Sequence, residues 1–77
     1  MKQQGQSTLD LLKAGEKALI KQLIGNDQLT CMLAQLGFIP GQQVSIISKG
    51  PFKTPTAVFI DGATFVLRKE QLCRIVI

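Results

Sequence analysis

Leu36-Gly37-Phe38-Ile39-Pro40-Gly41 is a helix stop fused to a tight turn, and it marks where a helical pattern ends and a run of short strands begins. Gly37 stands where the residue after a helix takes positive φ, which glycine adopts without steric cost, and Pro40-Gly41 suits the two central positions of a type II turn. Upstream, Asp27 is placed as an N-cap, and Leu29, Met32, Leu33 and Leu36 recur at three- and four-residue steps. That spacing predicts a helix of about nine residues with one apolar stripe packed on a sheet.

Downstream, Val44 and Ile46 alternate with Ser45 and Ile47 in a strand that is expected to end at Ser48. A loop containing Gly50, Pro51 and Pro55 follows, since proline cannot donate to a ladder. Asp61-Gly62 then reads as a two-residue hairpin turn, because both central positions need positive φ. Ile60 is thereby set opposite Ala63, and Val58 opposite Phe65. One face collects Thr56, Val58, Ile60, Ala63, Phe65 and Leu67; the other collects Ala57, Phe59, Thr64 and Val66. Leu67 to Leu72 allows one helical turn, and Arg74 to Ile77 a last strand with Ile75 and Ile77 facing one way. Before the helix, Ser7 or Thr8 can cap a short turn through Leu9, Leu11 and Leu12, and Glu16 to Ile24 alternates as a first strand closed by Gly25-Asn26. Five short strands with one inserted helix predict a mainly β fold, a small SH3-like five-stranded antiparallel barrel, with an OB-fold as the alternative.

With 77 residues the chain is one small domain. Residues 1–8 read as a flexible polar lead-in and 9–77 as the barrel domain. No apolar run reaches the roughly 20 residues of a membrane helix, and Met1 to Ser7 has no apolar leader core, so a cytoplasmic location is expected. The net charge is +4, but the lysines and arginines are dispersed and there is no Tyr or Trp to stack on bases. Cys31 and Cys73 are expected as two buried thiols rather than a disulfide framework. There is no histidine, so the usual base near neutral pH is missing, and Asp10, Glu16, Asp27, Asp61 and Glu70 each have local work as cap, turn or surface charge. No enzyme, no cofactor and no set of side chains ligating a metal is expected.

Gly37, Pro40, Gly41, Asp61 and Gly62 are assigned to turns. The residues that invite a partner are Phe59, an aromatic on an otherwise polar hairpin face; Phe52 with Lys49 and Lys53, at a proline-bounded loop tip; and Arg68. Each has a plain alternative. Phe59 can pack beneath another segment, Phe52 can fold inward, and Arg68 can be a solvated strand-end charge.

The ordered set Lys13-Ala14-Gly15-Glu16, Leu33-Ala34-Gln35-Leu36-Gly37-Phe38-Ile39-Pro40-Gly41, Gly50-Pro51-Phe52, Pro55, Gly62 and Leu67-Arg68-Lys69-Glu70 resembles the FeoA family from Leu9 to Ile77. The resemblance implies an SH3-like barrel in a small cytoplasmic protein that assists the FeoB permease in bacterial ferrous iron uptake. On that reading the function is an accessory one, binding the cytoplasmic part of the permease and modulating transport or assembly. A small basic nucleic-acid-binding barrel and a self-associating structural module are the alternatives, with nucleic acid the less favoured partner and no direct membrane insertion.

Overall fold

A computed structural model describes residues 7–50 and 55–77. A 3₁₀ turn at Leu9–Leu11 leads into β1 (Lys17–Leu19), β2 (Gln22–Leu23), α1 (Gln28–Leu36), β3 (Gln43–Lys49), β4 (Thr56–Ile60), β5 (Ala63–Leu67), the short α2 (Lys69–Leu72) and β6 (Ile75–Val76). These strands form a four-stranded antiparallel sheet in the order β1-β3-β4-β5 and a two-stranded sheet β2-β6. The expected mainly β fold with one inserted helix is present, but its strands form two sheets around one core and no closed five-stranded sheet.

The physical reason lies at Ile20 and Lys21. The segment expected as one strand from Glu16 to Ile24 is extended but bends there and changes partner. The Ile20 N–H donates to the Gln42 carbonyl and its own carbonyl accepts from Gly41, whereas the Lys21 N–H donates to Val76 and the Ile24 N–H to Arg74. Each half adds to a different sheet. The last strand accordingly pairs with β2 and leaves β5 as an edge.

The helix exit has the expected form. Gly37 is left-handed at φ 113°, its N–H donates to Ala34, and the Phe38 N–H donates back to Leu33, the paired bonds of a Schellman motif. The Gln42 N–H closes on the Ile39 carbonyl with Gly41 at φ 93°, as a type II turn requires. The hairpin also holds: Asp61 and Gly62 take φ 50° and 79°, and Ile60 faces Ala63, Val58 faces Phe65 and Thr56 faces Leu67.

Other expectations shift. β3 runs through Ser48 to Lys49, with a register irregularity between Ile46 and Ser48 that gives Ile47 an extra place in the strand. On α1 the buried residues are Thr30 and Leu33, with Leu36 partly covered and Met32 exposed. In β6 both Ile75 and Val76 are buried, and Ile77 only partly. Ser7 and Thr8, read from sequence as the end of the lead-in, lie against this strand: Thr8 bridges Val76, and the Ser7 carbonyl accepts from the Ile77 N–H. The core joins Leu9, Ile20, Leu33, Phe38, Val44, Ile46, Val58, Ile60, Leu67, Leu72 and Ile75, and the Phe38 and Phe65 rings meet at a centroid distance of 5.7 Å.

Candidate interaction surface

Alternation along β3, β4 and β5 sends Val44, Ile46, Val58, Ile60 and Leu67 into the core and their neighbours to the opposite face. Cross-strand register then assembles that outer face. Lys17, Ser45, Phe59 and Thr64 form one row, and Ser48, Ala57 and Val66 the next. Phe59 is 44% exposed and Val66 65% exposed; they sit on adjacent strands as diagonal neighbours. The irregularity in β3 adds Ile47, 49% exposed, beside them, and Leu19 stands exposed on β1 of the same sheet. Among the described residues no element covers Phe59.

Ile47 and Leu19 were the members not singled out from sequence. The signal for Ile47 was present, since it falls on the serine side of the Val44-Ile46 alternation. For Leu19 the bend at Ile20 obscured it.

The other proposed contacts are not brought into one cluster. Phe52 and Lys53 lie outside the described residues. Lys49 is half-buried, and its Nζ donates to the Asp10 carbonyl at 3.0 Å, which turns its charge toward the N-terminal 3₁₀ turn. Arg68 is exposed just after β5. Its backbone N–H donates to Gln71 Oε1 at 2.8 Å at the start of α2, and no described residue pairs with its guanidinium.

The strongest electrostatic contact is one the sequence did not disclose. Arg74 Nη1 lies 3.0 Å from Asp27 Oδ1, which also accepts from the Thr30 hydroxyl at 2.8 Å and from the Thr30 N–H at 3.2 Å. The Arg74 guanidinium foremost, with these Thr30 donors, holds the Asp27 carboxyl far below the usual carboxylate range. Asp27 in turn raises the Arg74 guanidinium. The cluster ties the start of α1 to the turn before β6. Its contacts all lie within the fold, which marks it as structural.

Cys31 is exposed and Cys73 half-buried, correcting the expectation of two buried thiols; neither is in a disulfide. Among the described residues no group of three or more His, Cys, Asp or Glu side chains comes together to hold a metal ion, and no helix is long and apolar enough to cross a membrane. An open depression of about 520 Å³ beside α1 is lined by Gln28, Leu29, Cys31, Met32 and Gln35. It holds amides, a thiol and apolar side chains with no carboxylate or cation. What this arrangement can do chemically is bind: its most developed feature is the apolar outer face of the four-stranded sheet.

Comparison with known proteins gives this surface a setting. The FeoA domain family model matches residues 7–77. A search of the curated proteins finds no significant match. Among solved structures, Stenotrophomonas maltophilia FeoA, complexed with zinc and described as a prokaryotic SH3 domain protein, is 29% identical with a TM-score of 0.82, covering 92% of this chain and 89% of that one. Iron(II) transport protein A from Clostridium thermocellum is 30% identical with a TM-score of 0.84, and the match covers 90% of this chain and 43% of that one. A manganese-dependent transcriptional repressor shares the fold at 20% identity, with a TM-score of 0.82 over 37% of its length.

Proposed function

The chain belongs to the FeoA family, which is associated with ferrous iron transport, and on that premise we propose that it is an accessory protein that docks on the cytoplasmic part of a FeoB-type permease. The outer face of the four-stranded sheet is the docking surface, with Phe59 as its anchor and Val66 and Ile47 beside it. The observation that carries this reading is the exposure of Phe59, Val66 and Ile47 together on one face. An aromatic among aliphatic side chains supplies apolar area at low entropic cost, the pattern of an interface centre. The action is modulation of transport or assembly by binding. Arg68, exposed near the end of β5, adds a charge at the rim.

The test is co-purification with the cytoplasmic domain of a FeoB-type permease from the same organism. Phe59→Ser is expected to leave denaturation curves close to the parent and to weaken the complex by about 1 to 4 kcal/mol, the range for loss of an interface anchor. A stable variant that binds the domain as the parent does removes the outer face from the proposal. Unaltered complex formation and salt dependence in Arg68→Ala returns Arg68 to the solvated strand ends.

A further inference from the structure

The outer face is not the only surface of the sheet left open. In a two-residue hairpin the residues flanking the turn exchange backbone hydrogen bonds, so Ala63, Phe65 and Leu67 bond to β4. The N–H and C=O groups of Thr64 and Val66 then point away from the sheet, and no described residue bonds to them. Natural edge strands are usually blunted by shortness, charge, proline or a bulge. The opposite edge follows that rule: β1 is only three residues long and carries Lys17. β5 has none of these devices. Ala63-Thr64-Phe65-Val66-Leu67 is regular and uncharged, with Thr64 and Val66 exposed.

We propose that β5 is a self-pairing edge, at which a second copy of this chain adds its own β5 antiparallel about a two-fold axis through Phe65. Thr64 then lies opposite the partner's Val66, and Val66 opposite the partner's Thr64. Each pair exchanges both backbone hydrogen bonds, while Phe65 and the partner's Phe65 form the intervening non-bonded pair. Charge complementarity selects this occupant and this direction. Asp61 stands at one end of the strand, and Arg68 and Lys69, accompanied by Glu70, stand at the other. Antiparallel pairing sets each Asp61 toward the basic end of the partner, whereas parallel pairing would set like ends together. The uncharged strand between them lets two chains of net charge +4 approach. The pairing joins the two four-stranded sheets into one continuous sheet. It uses the backbone edge of β5, whereas the outer-face reading is anchored on Phe59 of β4; Val66 alone belongs to both, its backbone to the edge and its side chain to the face.

Sedimentation equilibrium of the full chain, together with amide hydrogen exchange followed residue by residue, tests this. A concentration-dependent dimer is expected, with the Thr64 and Val66 amides gaining protection as it forms. The double variant Thr64→Lys, Val66→Lys places like charges opposite one another across the axis, and is expected to raise the dimer dissociation constant by about tenfold or more. In that variant the amides of Ala63, Phe65 and Leu67 stay protected, which shows that the hairpin remains folded. Phe59→Ser is expected to leave the dimer unchanged. A chain that stays monomeric at millimolar concentration overturns the proposal. So does a dimer in which the Thr64 and Val66 amides exchange freely, or one abolished by Phe59→Ser but not by the double lysine variant. Protection of those amides only when the permease domain is added also overturns it, by assigning the edge to another chain.

Discussion

At Gly41 the backbone sits at φ 93°, and a Cβ built there would meet nothing within 4 Å. The cost of a side chain at this position is therefore backbone strain alone. Gly41→Val is expected to destabilise by about 1–3 kcal/mol, the usual cost of holding a β-branched residue in that region. Equal denaturation midpoints for variant and parent would remove the type II turn from the account. Gly25 differs, because strain and contact act together there: at φ 95° its Cβ would stand 2.8 Å from Arg74 Nη1. The Arg74 contact also makes Asp27 a sensor of acid. Its folded pKa is depressed, so its contribution to stability is fully present above the unfolded value of about 3.9 and is lost as pH falls through that value toward the lower folded one. Asp27→Asn is expected to lower the melting temperature at neutral pH, and the gap between variant and parent should narrow as the pH drops below about 4. A gap independent of pH would deny the Asp27 carboxylate that role.

Elements differ in how fully their local sequence specifies them. The β4–β5 hairpin was legible to the register because Asp61-Gly62 leaves one turn geometry and the alternation on either side leaves one set of inward residues. The span of α1 was equally legible from Asp27 and Gly37, yet its buried face was not. The Thr30 hydroxyl donates its one proton to Asp27 at 2.8 Å and lies 3.2 Å from the Ile24 carbonyl, which draws that side of the helix inward and leaves Met32 exposed. Spacing of apolar residues alone cannot register a polar residue satisfied by its surroundings. The orientation is open to a paired measurement. Leu33→Ala removes a fully buried side chain and is expected to cost about 2–5 kcal/mol, while Met32→Ala should stay within roughly 0.5 kcal/mol of the parent. Equal losses for the two would mean that the helix presents the apolar stripe expected from its sequence. The bend at Ile20 was illegible for a related reason: no glycine or proline marks it, and only the competition of Gln42 and Val76 for successive backbone groups divides the strand.

For the whole molecule, the same division of one strand between two sheets explains why a barrel was expected and an open edge is found; Phe59 and Val66 were legible as one face of the hairpin, while Ile47 and Leu19 were not joined to them. Alternation identifies which face a residue takes; the assembly of Phe59, Val66 and Ile47 into one surface depends on pairing across three strands and a bulge. The chemistry of the rest of the surface bears on iron. Ferrous iron at a resident site calls for several nitrogen, oxygen or sulfur ligands held together. The chain has no histidine, and two of its described carboxylates are engaged locally: Asp27 with Thr30 and Arg74, and Glu16 with the Lys13 N–H at 2.7 Å. A carboxylate already accepting charge-assisted hydrogen bonds must give them up to ligate a metal, and the Asp27–Arg74 pair would lose its attraction as well. Anaerobic calorimetric titration of the purified chain with ferrous iron is therefore expected to show no stoichiometric binding at micromolar affinity. Saturable one-to-one binding in that range would replace action through a partner with direct metal sensing. Repeating the titration on Cys31→Ser and Cys73→Ser would then identify whether a thiol supplied the site, because the two cysteines are the chain's only source of thiolate, the soft anionic ligand.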